Sequence, residues 1–125
     1  MDSKKLALLC REFADDKKAE NLVVLDVRKL SSVTDYFVIA SGTSQPHLRA
    51  IVGEIVDRLR DEHDLQPARK DGMGSTSWVV LDYFDVIIHV MHAEARKHYD
   101  LEGLWNDAKS VNPPKPRKKK IPAEK

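Results

Sequence analysis

Residues 78–92 read WVVLDYFDVIIHVMH, two apolar, β-branched runs that meet at Asp-Tyr-Phe-Asp. Val- and Ile-rich runs of this length favour strands, and the short junction predicts a tight hairpin. In strand alternation Trp78, Val80 and Asp82 share one face, and Val79, Leu81 and Tyr83 share the other. On the return strand Asp85, Ile87, His89 and Met91 lie opposite Val86, Ile88, Val90 and His92. Such a hairpin must be covered on at least one face, and the charges threaded through it need solvent or a partner. Two carboxylates and two histidines in one hairpin raise catalysis, metal binding and docking as candidate uses.

The rest of the chain supplies the cover. SKKLALLCREFADDKKA (3–19) places Leu6, Leu9, Cys10 and Phe13 at helical spacing, with Asp2 or Ser3 as N-cap. NLVVLDV (21–27) predicts a strand and RKLSSVT a turn. DYFVIAS (35–41) predicts a second strand, apolar without alternation, as in one covered on both faces. Beyond it Ser44 is a good N-cap and Pro46 falls in the first helical turn. Leu48, Ile51, Val52, Ile55, Val56 and Leu59 then mark an apolar helical stripe. HDLQPARKDGMGSTS predicts a short edge strand and a Gly-rich loop, and AEARKHYDLEGLWNDAK (93–109) predicts helix in two pieces. The order β-β-α-β-β-β-α behind a leading helix predicts an α/β domain over residues 1–110, a mixed sheet sandwiched with helices.

The net charge of +1 conceals two parts of opposite sign. Residues 1–110 carry 15 Lys or Arg against 19 Asp or Glu, whereas residues 111–125 carry 6 against 1. The Pro-rich, cationic stretch VNPPKPRKKKIPAEK has too little apolar surface to fold, which predicts a disordered basic tail over 111–125. Its Lys115, Arg117 and Lys118–Lys120 suit either phosphate contact or plain solubility, and no aromatic is interleaved for base stacking. The apolar run Leu6–Cys10 is too short for a secretory or membrane segment, so a cytoplasmic protein without a membrane partner is expected. Cys10, the single cysteine, excludes an internal disulfide and lies on the apolar helical stripe as an inert core residue.

Candidate chemistry is sparse. SGTS (41–44) joins a strand to a helix N-terminus, where free amides can take an anion, but it lacks P-loop or dinucleotide spacing and turn chemistry explains the same residues. Asp82 and Asp85, three apart across a turn, do not converge as two-metal carboxylates must, and read as residues that solvate the hairpin end. His89 and His92 point to opposite faces, so no shared ion, and no cofactor, is expected. His89 shares a face with Met91 and Trp78, a combination suited to a binding surface or to a half-buried histidine. Trp105 is either a core anchor or an exposed hot spot.

Two blocks in order, DYFVIASGTSQPHLRAI (35–51) and WVVLDYFDVIIHVMHAEARKHYDLEGLW (78–105), resemble the iojap family, the bacterial and organellar ribosomal silencing factors. The resemblance covers roughly residues 5 to 110 and leaves out the tail. It implies a nucleotidyltransferase-like fold without that fold's catalytic carboxylates, and so a stoichiometric binder rather than an enzyme. It further implies docking on large-subunit ribosomal protein fourteen, a steric block to small-subunit joining, repression of translation in scarcity, and homodimers in some members. Where the family has glycine this chain has Phe84, which predicts a longer or different turn. The docking residues expected from the hairpin face and the following segment are Trp78, Asp82, His89, Glu94, Arg96, Tyr99, Leu101 and Trp105. Two other readings stand beside this one. One is an active nucleotidyltransferase using SGTS for phosphates and Asp82 or Asp85 for magnesium. The other is an RNA-binding adaptor driven by the tail, which in the docking reading makes at most a weak rRNA contact.

Overall fold

The computed structural model describes residues 1–74, 77–104 and 107–111. Helix α1 (Ser3–Asp16) precedes β1 (Glu20–Asp26) and β2 (Tyr36–Gly42). Then come α2 (Gln45–His63), β3 (Arg69–Asp71), β4 (Trp78–Asp82), β5 (Val86–His92), α3 (Ala93–Tyr99), α4 (Leu101–Leu104) and β6 (Lys109–Ser110). The strands form one six-stranded sheet in the order β3-β4-β5-β2-β1-β6. Only β2 and β5 pair in parallel, joined through the excursion of α2, β3 and β4; every other neighbouring pair is antiparallel. The expected α/β domain on a mixed sheet is what forms.

The two long helices start where local chemistry starts them. Asp2 Oδ1 accepts from the Lys5 N–H at 2.9 Å at the head of α1, and Ser44 Oγ accepts from the His47 N–H at 3.2 Å at the head of α2. Helix α2 ends at Asp64, which is left-handed at φ 54° and follows Arg60 and His63 in the last turn. Both helices pack on the same side of the sheet. Leu6, Cys10 and Phe13 of α1 and Leu48, Ile51, Ile55 and Leu59 of α2 meet Val38, Leu81, Val86, Ile88 and Val90 in one core. Cys10 is fully buried there, and burial pushes its thiol pKa up, so the inert core assignment holds.

The opposite side of the sheet is only partly covered. Leu25, Val27, Ile39 and Met91 are buried beneath Ala95 of α3 and Leu101 of α4, while Phe37 and Trp78 at the margin of this second cluster are half-buried. One sequence expectation needs correction. The second helical piece stops at Leu104, and residues 109–110 form β6, pairing with Leu25 and Asp26 through a contact too short to leave an apolar signature. The break between the two pieces is Asp100, left-handed at φ 48°. Gly42 leaves room for α2: a Cβ there would sit 2.8 Å from Leu48 Cδ2. Trp105 and the tail beyond Val111 lie outside the described residues.

The two faces should therefore differ in their tolerance of truncation. Ile88→Ala, within the helix-covered core, is expected to lower stability by about 2–5 kcal/mol. Ile87→Ala, its neighbour on the half-open side, should cost less than about half as much. Urea denaturation of both variants checks this.

Candidate functional site

The half-open face carries a file of rings built by sheet register. Val80 pairs with His89 and Trp78 with Met91, so Trp78 and His89 sit diagonally across the β4–β5 ladder on the same side. On the other flank Ile39 pairs with His89 and Phe37 with Ile87 in the parallel β2–β5 ladder. Phe37 meets His89 edge-on with ring centroids 5.3 Å apart. Trp78 lies 5.9 Å from His89 and 4.8 Å from Tyr99, which α3 carries to the end of the file; His98 touches Tyr99 at 5.1 Å. Tyr99 is 53% exposed, and Phe37, Trp78, Val80, Ile87 and His89 are half-buried.

One hydrogen bond fixes the chemistry of this file. Trp78 Nε1–H donates to His89 Nδ1 at 3.1 Å. That geometry requires a free lone pair on Nδ1, hence a neutral imidazole with its proton on Nε2. Burial acts in the same direction and pulls the His89 pKa down to about 4. The centre of the surface is therefore aromatic and uncharged at neutral pH.

The expected docking residues fall into distinct places. Trp78, His89 and Tyr99 belong to the file. Asp82 is at its lower end, where Oδ1 accepts from the Phe84 N–H at 2.8 Å. Glu94 is exposed, in the first turn of α3, with its N–H held by His92 Nδ1 at 3.2 Å. Leu101 is half-buried against the second core cluster. Arg96 is corrected: it is buried, and its Nη1 donates to the Ser41 hydroxyl at 2.8 Å, so it ties α3 to β2 and offers no surface to a partner. Strand alternation placed Val80 and Ile87 on this face without naming them as docking residues, and Phe37 was missed. The alternation of β2 and β5 around His89 was the signal available for it, but an unbroken apolar run in β2 hides which residues face outward.

The alternative chemistries lose their parts. At SGTS, Ser44 is the α2 cap, and the Thr43 N–H donates to His47 Nδ1 at 3.0 Å while His47 Nε2–H donates to the Lys17 carbonyl at 2.8 Å. The Thr43 amide is thus taken by an imidazole. Asp82 and Asp85 flank a hairpin turn closed by the Tyr83 N–H to the Val86 carbonyl at 2.9 Å. The longer or different turn expected from Phe84 does not occur in the form anticipated. Phe84 itself takes φ +68°, and the Asp85 N–H donates to the Tyr83 carbonyl at 2.9 Å across it, a γ-turn. Among the described residues no three His, Cys, Asp or Glu side chains gather as a metal site, and no helix is long and apolar enough to cross a membrane.

Comparison with known proteins gives a consistent set. The family model "Ribosomal silencing factor during starvation" matches residues 1–125. The chain is 39% identical over 108 residues to the ribosomal silencing factor RsfS of Bacillus subtilis, covering 86% of this chain and 91% of that one. It is 36% identical over 92 residues to mouse "Mitochondrial assembly of ribosomal large subunit protein 1", covering 71% of this chain and 40% of that one. Among solved structures, a protein of Chromobacterium violaceum superposes with a TM-score of 0.81 at 30% identity, covering 85% of this chain and 88% of that one. A Bacillus halodurans protein does so at 0.75 and 34%, covering 87% and 98%.

The neutral His89 has a pH signature. Its folded pKa, about 4, lies below the usual 6.5, so the unfolded chain binds a proton that the folded one refuses between those values. Stability falls as pH drops from about 6.5 to about 4, by on the order of 3 kcal/mol, and is flat in this respect above and below. His89→Asn, which can keep an acceptor for Trp78 and cannot titrate there, should remove that slope in urea melts taken across the window.

Proposed function

The chain belongs to the ribosomal silencing factor family, and from that membership we propose that it binds the large ribosomal subunit on its intersubunit face and blocks association with the small subunit. The coarse part follows from the family: this is a ribosome-associated regulator of translation. The finer part is a steric mechanism carried by one observation, the half-open sheet face with its interlocked file Phe37–His89–Trp78–Tyr99. Aromatic anchors already packed against one another lose little freedom on binding and supply most of the energy of a protein interface. The name of the mouse relative, which speaks of large-subunit assembly, supports the choice of subunit. Large-subunit protein fourteen is the partner that the family resemblance favours, and its place beside the small subunit makes occupancy alone sufficient to prevent joining. In this reading Trp78, His89 and Tyr99 are the anchors and Glu94 and Asp82 form a polar rim, while Leu101 and Arg96 hold α3 and α4 in position.

The reading assigns no bond-making step. The nucleotidyltransferase alternative would need free amides at SGTS and convergent carboxylates, and the His47 bond to the Thr43 amide and the Asp82 turn bond count against it.

Trp78→Ala and Tyr99→Ala should each raise the dissociation constant for purified large subunits at least about tenfold, with far-UV spectra unchanged. The wild-type protein in excess should suppress formation of joined ribosomes from purified subunits in a sedimentation assay. Normal joining at saturation overturns the mechanism.

A further inference from the structure

The helix-covered side of the sheet is not filled completely. Between α2 and β4 lies a cavity of about 240 Å³, open to the surface and lined by Leu48, Val52, Gly53, Val56, Met73 and Val79. Val79 packs in the core under α2, whereas Trp78 packs on the far side, so the cavity and the file of rings are separated by the sheet. Met73 is 47% exposed and covers the cavity only in part.

Gly53 keeps this space open. It sits in the interior of the 19-residue α2, where glycine weakens a helix relative to alanine. Its backbone is helical, so no turn or positive φ asks for a glycine. A Cβ on Gly53 would meet nothing within 4 Å, so close packing does not ask for one either. What a larger side chain there would take up is the volume of the cavity itself.

The charges at the two ends of the cavity are unequal. Arg49 and Asp57 both border it, eight residues apart on α2, or about 12 Å at ~1.5 Å per residue. Asp57 Oδ1 is already bound to Arg60 Nη1 at 3.3 Å. Arg49 has no ion pair among the described residues. The residues three and four places from it on the helix, Gln45, Pro46, Val52 and Gly53, include no carboxylate. An apolar slot with an unengaged guanidinium at one end complements a molecule with an apolar body and an anionic head. Size points the same way, because an apolar cavity of ~150 Å³ takes a benzene ring, and this one, at about 240 Å³, suits one small molecule better than a helix or a strand.

We propose that this cavity binds a small amphipathic carboxylate, its hydrocarbon body lying along Val52, Gly53, Val56 and Val79 and its carboxylate on Arg49. The site is independent of the docking reading, and its occupant leaves the file of rings free.

The test titrates octanoate and octylamine, equal in chain length and opposite in head charge, into the full chain below their micellar concentrations, followed by amide N–H correlation spectra. Octanoate should shift the Gly53 and Val79 amides saturably, with a dissociation constant of about 1 mM or lower, and octylamine should bind at least about tenfold more weakly. Arg49→Gln should remove the difference between the two. Gly53→Leu should abolish the binding of both while the melting temperature holds or rises, because leucine is the better helix former. No saturable shift with octanoate, equal affinity for the two heads, or octanoate binding that survives Gly53→Leu each overturns the proposal. Should Gly53→Leu fail to fold, Gly53→Ala, whose methyl group meets open space, takes its place; it should weaken octanoate at least about threefold, and unchanged binding overturns the site. Self-association of the wild type that Arg49→Gln leaves intact and the Gly53 variant removes would assign the cavity to a side chain of a second copy and overturn the small-molecule site.

Discussion

A six-stranded sheet has two faces to keep from water, and the two long helices of this chain both pack on one of them. Helix α1, of 14 residues, and α2, of 19, close the face that carries Val38, Leu81, Ile88 and Val90. On the other side α3 has seven residues and α4 four, enough to bury Ile39 and Met91 but not the strip beyond them. The uncovered strip is where the file of rings lies. Helix supply leaves that strip uncovered, and in this chain β4, β5 and the start of β2 carry apolar and aromatic side chains there rather than polar ones.

What keeps this strip from behaving as a loose hydrophobic patch is the satisfaction of its polar atoms within the file. The indole N–H of Trp78 and the imidazole of His89 would each demand water or a partner if left alone. Bonded to one another at 3.1 Å, they form a surface that is rigid, aromatic and neutral. Neutrality matters because a charged imidazole could not accept the indole proton, so the same bond that orders the rings also holds down the charge. Of the acidic groups near the file, the Asp82 carboxylate is held by the Phe84 N–H at the hairpin turn, and Glu94 lies exposed in the first turn of α3. Such an arrangement suits recognition.

Much of this was legible in the sequence, for reasons that differ element by element. The alternation in residues 78–92 placed Trp78, Asp82 and His89 on one face because a strand with one half-open side must alternate, and the ladder bears that out. The apolar stripe of α2 fixed its length and its buried side. Phe37 was hidden because β2 lies centrally in the sheet and its sequence does not alternate, so composition cannot say which ring looks outward. Arg96 misled for a related reason. A cation on a short amphipathic helix reads as surface, yet here it reaches under α3 to Ser41, a contact 55 residues away in the chain that no local pattern announces. The turn at Phe84 was misjudged because local propensity disfavours a left-handed phenylalanine, while two backbone-directed hydrogen bonds on either side hold it in place.

In the proposed docking reading the protein would act as a steric blocker, and such a blocker has simple energetic requirements. It must reach one face of its target, stay longer than the competing particle takes to arrive, and do so without reorganising itself. Trp78 contacts both His89 and Tyr99, and His89 contacts Phe37, so the rotamers of the file are set before any partner arrives and the entropy of ordering them is already spent in folding. Arg96 extends the same logic one layer inward: by binding Ser41 it fixes the helix that carries Tyr99, so that exposed ring is only as mobile as a buried guanidinium allows. In the docking reading, residence on the target would then depend on how well the target matches a surface that barely moves, which is a condition for specificity as much as for strength.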